Sequence, residues 1–232
     1  MVQIYKDEAV IFDLDDLLCK EFDFLRSAYW SIAQLVSKDQ PKKLFRLMMA
    51  QYFSGHAAID WLVYDYLKGE SEYDLNSVLT IYRNHMPDIA LEATVHQFLS
   101  QLKANGNSMG LLTDGRSITQ RNKIEALKLK NWISEFSISE ELGFEKPAKE
   151  PYLFFMKKFD VADFVYIADN YNKDFVAPNE LGWRTIALAD NGLNIHCRKD
   201  NLPAANLPGQ TISNFTELVV SNKNISDSVN NP

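Results

Sequence analysis

Two carboxylates follow one apolar stretch of the chain at a spacing that suits cation binding and acid–base chemistry. Val10, Ile11 and Phe12 run directly into Asp13, and Asp15 follows two residues later. A short apolar run is typical of a buried parallel strand, and ligands bind just outside the carboxyl ends of such strands. Side chains alternate along an extended chain, so both carboxylates are expected on one side, where they repel by about 4 kcal/mol at an effective dielectric of 20. We therefore expect a cationic group to join them.

A second interpretation of the same residues stays open. Asp13, Asp15 and Asp16 could form a solvated loop, with Asp16 capping the helix that follows. Acidic residues are common at turns and at helix starts, so this arrangement needs no chemistry.

Polar residues also end two later apolar stretches, and a lysine precedes a predicted helix. If the strands are parallel neighbours, all of these residues converge on one edge of the sheet. Carboxylates, a hydroxyl and a lysine are what a magnesium ion and a phosphoryl group require, because Mg²⁺ prefers hard oxygen ligands and a carboxylate can attack phosphorus. The residues are Thr113, Asp114 and Gly115 at the end of the stretch that begins at Met109, Asp169 and Asp174 after Phe164–Ala168, and Lys146 before a helix near Glu150. Taken alone, Lys146 is more typical of a surface lysine.

The pattern of apolar residues divides the chain into a helical stretch and an alternating stretch. Apolar residues recur at helix spacing from about Glu21 to His85, with no strand signal between them, and one of these helices is expected to end at Gly69. Beyond Pro87, helices and strands alternate, which predicts an α/β fold with a parallel sheet and right-handed crossovers. Ser117 is expected to cap one of these helices. A last strand near Thr211–Ile212 should be followed by a helix to Val220.

Composition limits the function classes. The chain has 232 residues, 46% of them hydrophobic, which are ordinary values for a globular core with an inserted subdomain. Its net charge of −7 argues against a general nucleic-acid or anionic-membrane surface. The chain contains neither a phosphate-binding G-x-x-x-x-G-K-[ST] loop nor a dinucleotide-binding G-x-G-x-x-G motif. Cys19 and Cys197, free thiols in no metal-binding spacing, together with the absence of a signal-peptide or membrane-span pattern, predict a cytoplasmic protein.

Four short motifs, in this order, resemble those of the haloacid dehalogenase (HAD) superfamily, in the branch with a helical cap inserted after the first motif. Each motif alone is weak, but four in order are specific, and together they extend over roughly Val10 to Leu188. The resemblance implies a Rossmann-like parallel-sheet core from residues 1–18 and 88–220 and an all-helical cap from 19–87. The tail from 221–232 is rich in Asn, Ser and Asp, and this composition predicts disorder. The motifs are Asp13-Leu14-Asp15, Thr113 in Leu111–Arg116, Lys146 in Gly143–Pro147, and Asp169 with Asp174 in Ile167–Asp174.

The resemblance also implies a phosphatase mechanism. Asp13 would attack the phosphoryl group and form an aspartyl-phosphate, while Asp15 would protonate the leaving oxygen and then activate water. The second acid favours phosphate esters over carbon–halogen bonds, because family members that act on carbon–halogen bonds lack it. The predicted substrate-binding residues are Thr113, Asp114, Gly115 and Lys146.

A magnesium ion is the cofactor that the resemblance implies. Its ligands would be Asp13, Asp169 and the backbone carbonyl of Asp15, with Asp174 acting through water or on Lys146. The expected substrate is a small phosphorylated metabolite, such as a sugar phosphate or a nucleotide. Two alternatives stay open: a phosphomutase or phosphotransferase of the same fold, and a non-catalytic regulatory or binding protein. The sequence does not indicate an oligomeric state.

Overall fold

A six-stranded, fully parallel sheet forms the centre of the protein in the computed structural model, which describes residues 1–68, 72–195 and 199–225. The strands are β1 (Val2–Ile4), β2 (Glu8–Phe12), β3 (Met109–Thr113), β4 (Glu135–Ile138), β5 (Asp163–Ala168), β6 (Arg184–Leu188), β7 (Gln210–Ile212) and β8 (Leu218–Val220). The sheet order is β4-β3-β2-β5-β6-β7, and β1 pairs separately with β8. The predicted α/β fold with a parallel sheet is confirmed.

Helices occupy the connections between these strands. They are α1 (Glu21–Val36), α2 (Pro41–Phe53), α3 (Ala58–Asp60), α4 (Leu75–Asn84), α5 (Ala93–Asn105), α6 (Ser117–Ala126), α7 (Ser139–Leu142), α8 (Glu150–Lys158) and α9 (Val176–Glu180). A π-helix spans Trp61–Tyr66, and 3₁₀ turns span Leu129–Asn131, Ala204–Asn206 and Phe215–Glu217.

Strand β2 is the buried centre of the sheet. All five of its residues are buried, and its side chains alternate between two apolar layers. Val10 and Phe12 belong to the layer that contains Phe98 of α5, while Ile11 belongs to the layer that contains Phe155 of α8. This alternation follows from the two-residue period of a strand, and it explains why β2 reads as a continuous apolar run.

The helical stretch between β2 and β3, here called the helical block (Glu21–Asn84), has an apolar core of its own. Tyr29 and Ile32 of α1 pack with Leu44 of α2, Leu62 of the π-helix and Val78 of α4. Within the described residues, this cluster shares no member with the two layers on the sheet. The domain boundaries at residues 18 and 88 stay a prediction.

Several local predictions were wrong. The segment after Thr211 is not a helix to Val220: it makes one 3₁₀ turn and then forms β8, whose Leu218 pairs with Val2 of β1. A strand of three residues is too short to show a recognisable alternation of apolar and polar residues in the sequence. Ser117 does not cap α6. It is the first helical residue, and its hydroxyl donates to Glu141 at 2.5 Å.

Other predictions were right in type but differ in detail, or lie partly outside the described residues. The third predicted helix contains a π-helical turn, and its predicted end at Gly69 lies outside the described residues, as does Cys197. Cys19 is free and buried. The first part of the predicted tail contacts the amino terminus, because the Ser221 N–H donates to the Ile4 carbonyl at 2.8 Å, and residues 226–232 lie outside the described part. No helix in the described ranges combines the length and the apolar character that a bilayer span requires.

The close packing of β3 against α8 makes a stability prediction. A Cβ atom on Gly110 would lie 2.5 Å from Cε1 of Phe155 and 2.8 Å from Cδ1 of Ile11. Gly110→Ala should therefore lower the free energy of unfolding by about 1–3 kcal/mol, because the buried Phe155 ring and the Ile11 side chain must move aside. Urea unfolding measures this loss. The control is Gly209→Ala, whose Cβ would meet no atom closer than 3.4 Å. Equal stability of the Gly110→Ala variant and the unmutated protein would contradict the packing described here.

Candidate active site

Three neighbouring strands end together and place the candidate residues at one edge of the sheet. Asp13 follows β2, Thr113 is the last residue of β3, and Asp169 follows β5. The pairing with β5 continues one residue beyond β2, since the Asp13 N–H donates to the Ile167 carbonyl at 3.0 Å. The shared register, rather than proximity in the sequence, brings these side chains together.

These residues line a cavity of ≈ 290 Å³. Among the described residues, six acidic side chains and two lysines line it, so the cavity is strongly acidic. The acids are Asp13, Asp15, Asp16, Glu21, Asp114 and Asp169, the lysines are Lys146 and Lys173, and Thr113, Asn170 and Ile195 complete the lining.

Lys146 is the buried cation of the site. Its Nζ lies 2.9 Å from Oδ1 of Asp13 and 2.9 Å from Oδ1 of Asp174, and it donates to the Tyr166 hydroxyl at 3.4 Å. Burial disfavours the charged amine, but the two carboxylates outweigh it and raise the pKa of Lys146 well above its ordinary value. The reading of Lys146 as a surface lysine is therefore wrong.

One lysine does not neutralise the carboxylates around it. Burial raises the pKa of Asp13 to about 7; Lys146 opposes this shift and Asp174 adds to it. Burial also raises the pKa of Asp169 to about 8, and repulsion from Asp13 and Asp174 contributes. Burial is the largest cause of both shifts, and repulsion between neighbouring carboxylates adds to it.

The carboxylates fit a hard divalent cation. Asp13, Asp169 and Asp174 are buried, and each offers an oxygen within 4.8 Å of the other two. Oxygen-only donors in an electron-rich pocket are the ligands that Mg²⁺ prefers. Asp174 also pairs with Lys146 and accepts a hydrogen bond from the Asn170 N–H at 3.1 Å, so both of its carboxylate oxygens already have partners within the protein.

The side chain of Asp15 does not join that carboxylate group. Its Oδ1 lies 2.6 Å from Nζ of Lys123, and its Oδ2 accepts from Nε2 of Gln120 at 2.9 Å. Burial opposes ionisation of Asp15, yet the nearby ammonium and the hydrogen bonds lower its pKa below the ordinary value. The predicted metal contact of Asp15 concerned only its backbone carbonyl.

The three phosphate-binding residues predicted at the end of β3 differ in their contacts and in whether they line the cavity. The Thr113 hydroxyl accepts from Gln120 at 2.7 Å and lines the cavity. Asp114 accepts from the Lys146 backbone N–H at 3.1 Å and pairs with Lys173 at 2.6 Å. Gly115 does not line this cavity, and its N–H donates to the Ser139 hydroxyl at 2.9 Å.

Asp16 has a structural place beside the site. Its Oδ1 accepts from the Glu21 N–H at 3.1 Å, so it does satisfy a backbone donor at the start of α1, as the alternative reading expected. Its Oδ2 accepts from the Ile195 N–H at 2.9 Å. However, Asp16 is 3% and Asp13 is 5% exposed, so the reading of this segment as a solvated loop is wrong.

Sequence reasoning missed four polar residues around the acids. Gln120 and Lys123 are spaced three apart on α6 and therefore share one helix face, which is a usable signal because a lysine at an otherwise buried position needs a partner. Asn194 donates to Oδ2 of Asp169 at 2.8 Å from a loop with no periodic pattern. Lys173 was passed over because it lies between two motif acids.

The comparison with known families agrees with this geometry. Residues 10–188 match the family described as haloacid dehalogenase-like hydrolase. This match covers more than half of the chain, and the parallel sheet with acids at its carboxyl edge is consistent with it. The protein belongs to the haloacid dehalogenase-like hydrolase family.

The similarity to individual curated relatives covers only part of the chain. A glyceraldehyde 3-phosphate phosphatase from Methanocaldococcus jannaschii is 33% identical over 92 residues, which is 39% of this chain and 40% of the relative. The chain thus matches well under two thirds of that relative's length.

Solved structures show the same fold at low identity. YfnB from Bacillus subtilis, a putative HAD-hydrolase bound to magnesium, aligns with a TM-score of 0.57 and 18% identity over 90% of this chain and 96% of that chain. A HAD phosphatase from Thermococcus onnurineus aligns with a TM-score of 0.56 and 17% identity over 90% and 95%. The family match indicates an enzyme of the hydrolase class, and the solved structures show its fold.

The raised pKa values predict proton-linked metal binding. Asp13, with a pKa of about 7, and Asp169, with a pKa of about 8, must lose their protons before they coordinate a cation. Mg²⁺ affinity should therefore increase as the pH rises through these values, with protons released on binding. Isothermal titration calorimetry in buffers of different ionisation enthalpy measures both effects. An affinity that does not change with pH, with no proton release, would contradict this electrostatic description.

Proposed function

We propose that the protein is a Mg²⁺-dependent phosphatase that hydrolyses a small phosphorylated metabolite through an aspartyl-phosphate on Asp13. The observation that carries the proposal is the buried contact between Lys146 and Asp13, 2.9 Å apart, at the floor of an acidic cavity. A carboxylate that is held by a lysine and opens on a cavity is placed to attack phosphorus.

Asp13 is suited to the role of nucleophile because its surroundings hold it in one orientation. Lys146 binds one carboxylate oxygen, and the backbone of Asp13 is hydrogen-bonded to β5. The Thr113 hydroxyl, at the end of the neighbouring strand, would bind an oxygen of the incoming phosphoryl group. Positioning and charge stabilisation of this kind supply most of the catalysis in phosphoryl transfer.

The metal would be held by Asp13 and Asp169 together with the backbone carbonyl of Asp15. When bound there, Mg²⁺ supplies positive charge that stabilises the phosphoryl oxygens. Asp174 would act mainly on Lys146, in line with their 2.9 Å contact. Support for this choice of metal comes from the buried oxygen donors and from the magnesium reported for the similar YfnB structure.

Asp15 would move protons in two steps. In the first, the Asp13 carboxylate forms a bond to phosphorus, the bond between phosphorus and the ester oxygen breaks, and the leaving oxygen takes a proton from Asp15. In the second, water attacks the phosphorus, its proton passes to Asp15, and the bond to Asp13 breaks. The lowered pKa of Asp15 favours the carboxylate that the second step needs, so its contact with Lys123 must loosen when it acts as an acid.

The substrate is proposed to be small, such as a sugar phosphate. The cavity volume of ≈ 290 Å³ and the partial similarity to a glyceraldehyde 3-phosphate phosphatase support this class. The helical block would act as a cap, and the position of Glu21, at the start of α1 and in the lining of the cavity, supports this role. The acidic cavity and the net charge of −7 disfavour nucleic acid as a substrate, and the cytoplasmic location stays a prediction.

Phosphate release from a panel of sugar phosphates, nucleotides and small acid phosphates, with and without Mg²⁺, tests the proposal. Asp13→Asn keeps the shape of the side chain but removes the nucleophile, so it should lower turnover by at least about a thousandfold. The control is Asp39→Asn, on an exposed residue outside the cavity.

Two results would contradict the proposal. The first is metal-dependent phosphate release that persists in Asp13→Asn. The second is formation of an isomerised sugar phosphate without free phosphate, which would indicate a phosphomutase. A protein that binds no metal and releases no phosphate would favour the regulatory alternative.

A further inference from the structure

Lys123 is an unusual residue for the buried face of a helix. It is 1% exposed, and its Nζ lies 2.6 Å from Oδ1 of Asp15. The same Nζ contacts the Glu21 carboxylate and lies 4.3 Å from the centre of the Phe24 ring. Removing a lysine from water is unfavourable unless charged partners compensate, and the carboxylates of Asp15 and Glu21 supply that compensation. Its place on α6 is therefore determined by the acids that it pairs with.

Gln120, about one helical turn before Lys123 on α6, binds the other carboxylate oxygen of Asp15. Its Nε2 donates to Oδ2 of Asp15 at 2.9 Å and to the Thr113 hydroxyl at 2.7 Å. The two oxygens of Asp15 thus have separate partners on one face of α6, and the carboxylate cannot rotate without losing one of them. Gln120 also connects Asp15 with a residue proposed to bind the phosphoryl group.

We propose that Lys123 and Gln120 are positioning residues that hold the Asp15 carboxylate in the orientation required for hydrolysis of the aspartyl-phosphate. The inference rests on the proposed function, because it concerns the second step of that reaction. In that step the water oxygen forms a bond to phosphorus, the water proton passes to Asp15, and the electrons of the breaking bond return to Asp13. Phosphate leaves, and only a correctly oriented Asp15 accepts the proton.

A purely structural role is the main alternative. Glu21 belongs to the helical block and Lys123 to α6, so their ion pair joins two parts of the molecule. If Lys123 served only this connection, its loss would lower stability and would affect both chemical steps alike. The two roles therefore differ in which step of the reaction slows.

The step that slows can be measured with p-nitrophenyl phosphate. Its leaving group departs without a proton, so the first step depends little on Asp15, whereas hydrolysis of the aspartyl-phosphate depends on it fully. Lys123→Met should keep the first-turnover release of p-nitrophenol and lower steady-state kcat by roughly 10- to 100-fold. The phosphorylated protein should then accumulate, which intact-protein mass spectrometry of acid-quenched samples detects directly.

Two further variants keep the experiment decisive. Gln120→Leu should also accumulate the phosphorylated protein, and it carries the test if Lys123→Met does not fold in thermal unfolding. Lys130→Met removes an exposed lysine paired with Glu125 at 3.1 Å, and it should change neither step.

Distinct results would overturn the inference. Equal slowing of both steps, or no accumulation in Lys123→Met and Gln120→Leu, would show that these residues do not position Asp15 for hydrolysis. If the unmutated protein forms no phosphorylated species and releases no phosphate, the proposed function itself fails, and the inference fails with it.

Discussion

The contact of Lys146 with Asp13 and Asp174 is the interaction on which the candidate site depends. Three buried carboxylates lie within 4.8 Å of one another, and a single buried ammonium lies between two of them. Without that ammonium, the buried carboxylates would repel one another strongly in their low-dielectric surroundings. They would then be protonated or displaced. With it, the carboxylates stay together at the carboxyl edge of the sheet. The three acids offer oxygen ligands that would suit a divalent cation, which we propose to be Mg²⁺.

The topology of the sheet determines which residues meet at this contact. Strand β2 lies between β3 and β5, and all three run in parallel, so the residues after them come to one edge. Asp13 and Asp169 were predictable for this reason: each follows a strong apolar run, and parallel strands share an edge. Lys146 was predictable only from its place in the ordered motifs, because nothing in its local sequence indicates burial.

The remaining features depend on contacts that the sequence does not encode locally. Lys123 reaches Asp15 from 108 positions away, and a lysine in a helix is by itself more typical of a surface. Asn194 reaches Asp169 from an irregular loop. Strand β8 was mistaken for helix because it is three residues long and is stabilised by pairing with β1, at the other end of the chain. The local sequence pattern thus predicted the sheet and the acids at its edge. The position of Lys123 and the formation of β8 depend instead on contacts between residues far apart in the sequence.

We propose that Asp13 carries the phosphoryl group during turnover. The most direct test is to quench the protein in acid during turnover of a substrate, reduce it with borohydride and map its peptides by mass spectrometry. An acyl phosphate at Asp13 is reduced to homoserine, so homoserine is expected at this position and nowhere else. Phosphate release without this modification, or with the modification at another carboxylate, would contradict the assignment of Asp13 as the nucleophile.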